Sequence, residues 1–189
     1  MRTTFEEHLQ QAAIQAVKAI PANETPDVYV VSLLVYDEDD DPRQPTLTIG
    51  YNTETRVQQI LAAQRGSTLL PAGPPTDEAE ASWNYAFWLQ SELAVVASST
   101  QDPVGVLLRN EWIKNSGLAS DEQITQAFVN ACVRLARHLH ATGLIDKTFG
   151  RPIPVLVHEL EYYDAIANQA ATANPPSVAA DFIAWVRNQ

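Results

Sequence analysis

Apolar residues recur along this chain with two different periods, and the period of each segment predicts its secondary structure. Spacings of three and four residues predict amphipathic helices, whereas alternation or a short continuous apolar run predicts strands. The predicted helices cover residues 4–20, 54–65, 103–117, 121–143 and 162–172, and a last helix is led by Asn174 and Pro175. The predicted strands cover residues 28–36, 46–51, 93–97 and 152–158.

Capping residues support several of these boundaries. Thr4 with Glu7 forms the pattern in which two side chains satisfy the free N–H groups of a helix start. Asp102 followed by Pro103 suits an N-cap and a first helical position. The helix that follows this pair is predicted to direct four apolar side chains to the core: Val104, Leu107, Leu108 and Trp112.

The segment between residues 67 and 90 is less regular. Residues 67–75 hold three prolines and a glycine, which predicts a loop. Thr76 then caps a predicted helix with acidic residues in its first turn, where the helix dipole favours negative charge. For the aromatic residues that follow, a strand over 83–90 is the alternative.

The order of these elements indicates the fold class. Strands occur early, in the middle and late in the chain, without the regular strand–helix alternation of a doubly wound fold. Strands 28–36 and 46–51, joined by an acidic loop, predict a hairpin. No internal repeat separates the chain into units. We therefore predict one globular α+β domain over residues 1–189, with a mixed or antiparallel sheet packed against several helices.

Composition and charge narrow the function. The 189 residues are 46% apolar and include one cysteine, which suits a chain with a sizeable core and excludes a disulfide framework. The 12 Lys and Arg residues face 23 Asp and Glu residues, for a formal charge of −11. Nucleic-acid binding requires a Lys/Arg surface that neutralises phosphates. We therefore predict no nucleic-acid partner.

Three short runs hold the whole acidic excess. They contain 11 acids and no base, while the remaining 12 acids match the 12 Lys and Arg residues. The first run is Asp37, Glu38, Asp39, Asp40 and Asp41; the second is Asp77, Glu78 and Glu80; the third is Glu159, Glu161 and Asp164. The helix dipole accounts for the second run. The first and third runs are the predicted partner-binding residues.

Localisation signals are missing from the sequence. The N-terminal segment turns polar at once, without the apolar stretch of about 7–15 residues that a secretory signal contains. No stretch approaches the roughly 18 apolar residues of a membrane span. Cys132 lies within a predicted helix, which indicates a buried, inert thiol. These features predict a cytoplasmic protein without a membrane partner.

Two motifs begin like metal sites and then depart from the pattern. Asp37-x-Asp39-x-Asp41 opens like a calcium loop, but Pro42 stands where that loop needs Gly, and Thr48 where it needs Glu. We therefore predict a hydrated hairpin tip and no EF-hand.

The segment 158–162 opens like a zinc-protease helix, but Tyr162 replaces the second His. The nearby side chains leave a metal-assisted hydrolase as an alternative. Its candidate ligands or general base are His158, Glu159, Glu161 and Asp164. Signatures of acyl-transfer, phosphate-binding and zinc-cluster sites are absent from the sequence, so we predict no metal and no cofactor. A third possibility is a small-molecule-binding domain that uses the aromatic residues of segment 83–88.

Four segments carry a family resemblance. They are Asp41-Pro42-Arg43 with 45–53, the aromatic segment 83–88, the segment 149–164, and Asn174-Pro175. Their order resembles the bacterial domain-of-unknown-function family 4303, which implies a strand, an Asn-Thr-led helix and an Asn-Pro-led terminal helix. The resemblance brings no catalytic residues. Small acidic α+β proteins of this sort are often encoded beside bacterial secreted toxins, which by analogy implies an immunity role.

These observations lead to one main hypothesis. The chain is predicted to be a cytoplasmic, non-enzymatic binding protein, such as an immunity protein or an inhibitor of a bacterial toxin. Its acidic loops are expected to cover a basic surface of the partner, because complementary charge raises the association rate and sets specificity. The metal-assisted hydrolase and the small-molecule binder are the alternatives.

Overall fold

A four-stranded mixed sheet forms the centre of the computed structural model, which describes residues 3–65 and 73–189. Its strands are β1 (Val28–Asp37), β2 (Pro45–Thr53), β3 (Ala94–Val96) and β4 (Val155–His158). The order across the sheet is β3-β2-β1-β4. β1 and β2 form the predicted antiparallel hairpin, β3 joins β2 antiparallel, and β4 joins β1 parallel. The predicted α+β class is confirmed.

Helices account for most of the remaining chain. They are α1 (Phe5–Ala19), α2 (Glu54–Arg65), α3 (Glu78–Trp83), α4 (Pro103–Asn115), α5 (Asp121–Ala141), α6 (Leu144–Phe149), α7 (Asp164–Ala173) and α8 (Ala180–Arg187). The capping box of Thr4 and Glu7 is present at the start of α1. Within residues 3–65 and 73–189, no helix combines the length and apolar character needed to cross a membrane.

The helices pack on both faces of the sheet. Residues Val155 and Val157 of β4 belong to a core cluster with α1, α5 and α6, whereas Leu156 belongs to a second cluster with α2, α7 and α8. Successive side chains of a strand point to opposite faces, so a strand covered on both faces must be apolar throughout. This explains the continuous apolar run of β1.

The face that α4 presents to the core agrees with the prediction in part, because Leu108 and Trp112 pack against the core as predicted but Val104 and Leu107 do not. Val104 is 59% exposed and Leu107 is 70% exposed, whereas Gly105 and Arg109 are buried. The reason is a close contact at Gly105, where an added Cβ would lie 1.9 Å from Asp102 Oδ2 and 2.9 Å from the Ala97 nitrogen. The turn after β3 therefore packs closely against the side of α4 that carries Gly105.

Of three other predictions about elements, two need correction and one falls largely outside the described residues. Asn174 does not start the last helix, which begins at Ala180; it ends α7, and its side chain binds β4. The helix predicted with Thr76 as its cap is capped by Asp77 instead and ends at Trp83, and a 3-10 turn over Tyr85–Phe87 follows in place of the alternative strand. Most of the loop predicted over 67–75 lies outside the described residues.

Candidate functional site

The first and third acidic runs meet at one edge of the sheet. β1 and β4 are parallel neighbours, and Leu34 pairs with His158 at the end of their ladder. Because each strand is followed by an acidic run, the two runs leave the sheet side by side. They surround a cavity of about 300 Å³, hereafter the acidic cleft. It is lined by Val35, Tyr36, Asp37, Asp40, Thr125, Glu159, Leu160 and Glu161.

The electrostatic character of the acidic cleft follows from its lining. The described lining residues include four carboxylates and neither Lys nor Arg. Burial raises the pKa of Asp37 above its ordinary value, and the charges of Asp41 and Asp40 raise it further. Burial and Glu159 together raise the pKa of Tyr163 to about 12, and its hydroxyl donates to Glu159 Oε2 at 3.0 Å. The cleft therefore favours positively charged groups.

Apolar side chains border the carboxylates. Tyr36 is 47% exposed and Leu160 is 59% exposed. Both also line a neighbouring groove, which continues across the sheet over Thr46, Thr48 and Val95. The edge of the sheet thus offers acidic groups together with exposed apolar area, a combination that protein-binding surfaces share.

The predicted partner-binding residues of the first run do not all face the cleft. The Glu38 carboxylate accepts hydrogen bonds from the Ser99 nitrogen at 3.0 Å and from the Ser98 hydroxyl at 3.2 Å. Burial acts to raise the pKa of Glu38, but these hydrogen bonds outweigh it and leave the pKa below its usual range. Asp41 accepts from the Arg43 nitrogen and the Gln44 amide within its own loop. Glu38 and Asp41 therefore hold the loop in shape.

The other predicted residues divide between the cleft and its surroundings. Asp37, Asp40, Glu159 and Glu161 line the acidic cleft. Asp39 lines the neighbouring groove, and both Asp39 and Asp40 have left-handed backbone conformations, with φ of 57° and 56°. Asp164 is the first residue of α7 and is not among the lining residues. The sequence prediction thus places four of its eight acids at this site.

A buried cation that the sequence analysis missed lies near the acidic loop. The Arg109 guanidinium donates to the carbonyl oxygens of Pro45 at 3.3 Å and Ala97 at 3.1 Å. Burial lowers its pKa, while the charges of Glu38 and Asp41 act in the opposite direction. The signal for this residue was its helical spacing from Gly105, because positions four apart share one helix face.

His158 does not join the carboxylates. Its ring is buried; Nδ1–H donates to the Glu159 carbonyl oxygen at 3.0 Å, and Nε2 accepts from the Ser32 hydroxyl at 2.8 Å. Burial lowers its pKa to about 4. Both nitrogens are thus engaged, and among the described residues no group of three or more His, Cys, Asp or Glu side chains has a metal-binding arrangement. The geometry gives the hydrolase alternative no support.

The aromatic segment 83–88 packs as core. Phe87 and Trp88 are buried. Trp83 lies edge-on to Tyr29 at 5.4 Å between ring centroids, and Trp88 contacts His158 at 5.5 Å. Tyr85 and Trp88 both contact the His158 ring, and this packing accounts for the aromatic density without a ligand. The small-molecule alternative therefore gains no support from this segment.

No family model, curated protein or solved structure matches this chain. The resemblance to family 4303 therefore stays a prediction. The fold and the acidic cleft define an acidic α+β protein with a negatively charged sheet edge. The proposed function rests on these two features.

Proposed function

We propose that this protein is a cytoplasmic, non-enzymatic binding protein that engages a basic protein through the acidic cleft, in the manner of an immunity protein or an inhibitor of a bacterial toxin. The observation that carries the proposal is the convergence of two acidic runs, one after β1 and one after β4. Their carboxylates share one cavity although they are far apart in the sequence.

Charge and apolar area have separate roles in this proposal. The carboxylates of the cleft attract a Lys/Arg surface over a distance set by the ionic strength, which raises the association rate. Tyr36 and Leu160 supply apolar area that a partner side chain buries once the complex forms. The loop that carries Asp40 is held in place by the hydrogen bonds of Glu38 and Asp41, so little ordering accompanies binding.

The test is complex formation with the product of the neighbouring gene, followed by association kinetics at several salt concentrations. Asp40→Asn combined with Glu161→Gln removes two charges from the cleft and is expected to slow association several-fold at low salt. The control is Glu78→Gln with Asp181→Asn, which removes the same number of charges from residues that do not line the cleft. Asp77 is left unchanged because its side chain caps α3.

The kinetic outcomes are distinct. A slower association in the cleft variant, with the control unchanged and the difference reduced at high salt, supports the proposal. Equal effects of the two variants indicate that net charge alone attracts the partner. The absence of any complex at low salt counts against a binding role for this surface.

A further inference from the structure

β1 extends beyond the strand that covers its outer side. The parallel ladder ends where Leu34 pairs with His158, and β1 continues to Asp37. On the other side, β2 remains paired with β1 up to Asp37 and Pro45. Within the part of the chain that the structure describes, no strand lies beside the last three residues of β1 on the β4 side.

Backbone hydrogen bonds show which groups face this open side. The Val31 N–H donates to the Pro154 carbonyl, next to β4, and the Glu38 N–H donates to the Gln44 carbonyl, next to β2. Backbone groups of a strand alternate between its two sides from one residue to the next. From Val31 onward, the backbone N–H and C=O groups of the odd-numbered residues of β1 therefore face β4. The N–H of Asp37 accordingly points to the open side.

The acidic cleft lies along this same open edge. Val35 and Tyr36 are consecutive, so their side chains project to opposite faces of the sheet. The cavity is lined by both residues and is therefore not confined to one face of the sheet. The cleft lining includes both of them, together with Glu159, which continues the chain from the end of β4. The cavity therefore occupies the place where β4 would continue.

We infer that an extended segment of the partner, rich in Lys or Arg, adds to the sheet beside 35–37, in line with β4. The inference rests on the proposed function and specifies how the partner binds. Main-chain hydrogen bonds to the strand edge supply affinity, and side chains in the flanking pockets supply specificity. Lys or Arg residues of the segment pair with Asp37, Asp40, Glu159 and Glu161, while an apolar residue packs on Tyr36.

Charge identifies the occupant. Four carboxylates without a base in the described lining attract a cationic segment. A second copy of this chain carries a formal charge of −11 and is repelled. Charged residues at a strand edge also prevent edge-to-edge aggregation, and that role alone requires no partner. The experiment below separates binding from this protective role.

The first measurement uses a synthetic peptide in which lysine alternates with valine, and the same peptide with its backbone nitrogens methylated. Both have the same charge, but only the first donates backbone hydrogen bonds. Strand addition predicts at least about fivefold weaker binding of the methylated peptide, since one lost hydrogen bond contributes on the order of 1 kcal/mol. It also predicts that the unmethylated peptide slows hydrogen exchange at the Asp37 amide.

The second measurement separates the backbone of Asp37 from its charge. Asp37→Asn keeps the N–H and removes the charge, whereas Asp37→Pro removes both. Strand addition predicts that Asp37→Pro weakens peptide binding several-fold beyond Asp37→Asn, with thermal unfolding verifying that both variants fold. Glu161→Gln is expected to weaken binding of the methylated and unmethylated peptides alike.

Failure of strand addition is distinguishable from failure of the proposed function. If both peptides bind equally, with a loss in Glu161→Gln and no protection at Asp37, the cleft binds basic proteins but not by strand addition. If neither peptide binds at low salt, strand addition is wrong, and complex formation with the neighbouring gene product still decides the proposed function. Protein dimers that form without peptide and protect Asp37 would identify a second copy as the occupant.

Discussion

The buried side chain of Asn174 forms hydrogen bonds with the outer edge of strand β4. The Asn174 amide accepts from the Val155 nitrogen at 2.7 Å and donates to the Val155 carbonyl at 3.0 Å. It thereby takes the place of a further strand beside β4. Its oxygen also lies 3.0 Å from His140 Nε2, which donates to it. Among the described residues, no buried side-chain nitrogen or oxygen lacks a partner.

Asn174→Asp is expected to destabilise the protein by about 2–4 kcal/mol at pH 7. The change replaces a donor with a charged acceptor opposite the carbonyl oxygens of Val155 and Ala170, and a buried group without its hydrogen bond is costly. Denaturant unfolding measures the loss. Asn168→Asp, on the exposed side of α7, is the control and should change stability by less than about 0.5 kcal/mol. Equal effects would show that the Asn174 amide is not a strand partner.

His158 is expected to make stability depend on pH. Its pKa in the folded state, about 4, lies below the ordinary value of 6.5. The unfolded chain therefore binds more protons between these values, so folding stability falls as the pH drops from about 6.5 to about 4. The loss at this site is on the order of 3 kcal/mol. Urea unfolding across this range, compared with His158→Gln, tests the assignment, since an unchanged pH slope in the variant would contradict it.

At the level of elements, α4 is positioned by one carboxylate that contacts three parts of the chain. Asp102 caps α4 by accepting from the Gly105 nitrogen at 2.9 Å. It also accepts from the Ala97 nitrogen at the end of β3 and lies 2.7 Å from His8 Nε2 in α1. Such a residue joins elements that are distant in sequence, which fixes the rotation of α4 about its axis.

Gly105→Ala is therefore expected to destabilise the protein by about 1–3 kcal/mol, although helix propensity alone predicts a gain of about 1 kcal/mol. An added Cβ would lie 1.9 Å from Asp102 Oδ2, which its two partners, His8 Nε2 and the Ala97 nitrogen, hold in place. Thermal or urea unfolding measures the effect. Val104→Ala on the exposed face of α4 is the control and should be nearly neutral; a stabilised Gly105→Ala would mean that the carboxylate moves freely.

The same contacts show how far the sequence allowed prediction. The capping box at Thr4 and the N-cap at Asp102 are local, so the starts of α1 and α4 were predictable. The buried face of α4 was predictable only in part: Leu108 and Trp112 pack against the core as their spacing predicts, whereas Gly105 is buried by its contacts with Asp102 and Ala97, which apolar periodicity does not record. Asn before Pro is a local signal that predicts a helix start at Asn174, whereas the partner of its side chain, Val155, is distant in sequence.

For the candidate site, the sequence located the charges but not their meeting point. The acidic runs were evident, but only the parallel pairing of β1 and β4 brings them to one cavity. Local spacing also did not distinguish Glu38 and Asp41, which bind the backbone and neighbouring side chains, from Asp40, which lines the cleft. His158, predicted with the carboxylates, is buried, and its ring nitrogens bind the Ser32 hydroxyl and the Glu159 carbonyl oxygen.

At the scale of the whole molecule, the concentration of negative charge in the acidic cleft lowers the stability of the folded protein. The described lining of the acidic cleft holds four carboxylates, and the pKa of Asp37 is raised there by burial and by its acidic neighbours. A carboxyl whose folded pKa is raised destabilises the protein once the pH exceeds its unfolded value, and this cost is relieved as the pH falls through the folded pKa. A binding role gives a reason for a cluster that lowers stability.

Asp40→Asn is expected to stabilise the protein at pH 7 by about 0.3–0.5 kcal/mol while weakening its association with a basic partner. The change removes a charge that raises the Asp37 pKa, and the gain is small because solvent screens these partly exposed groups. Asparagine also tolerates the left-handed backbone of residue 40. Asp39→Asn has the same backbone benefit, lies outside the cleft lining and serves as the control. Urea unfolding at low and high salt isolates the charge effect, because the stability gain should shrink with salt in Asp40→Asn alone. If both variants gain the same stability at every salt concentration, the gain comes from the backbone conformation. In that case the charge of Asp40 does not lower stability, and stability and binding are not opposed.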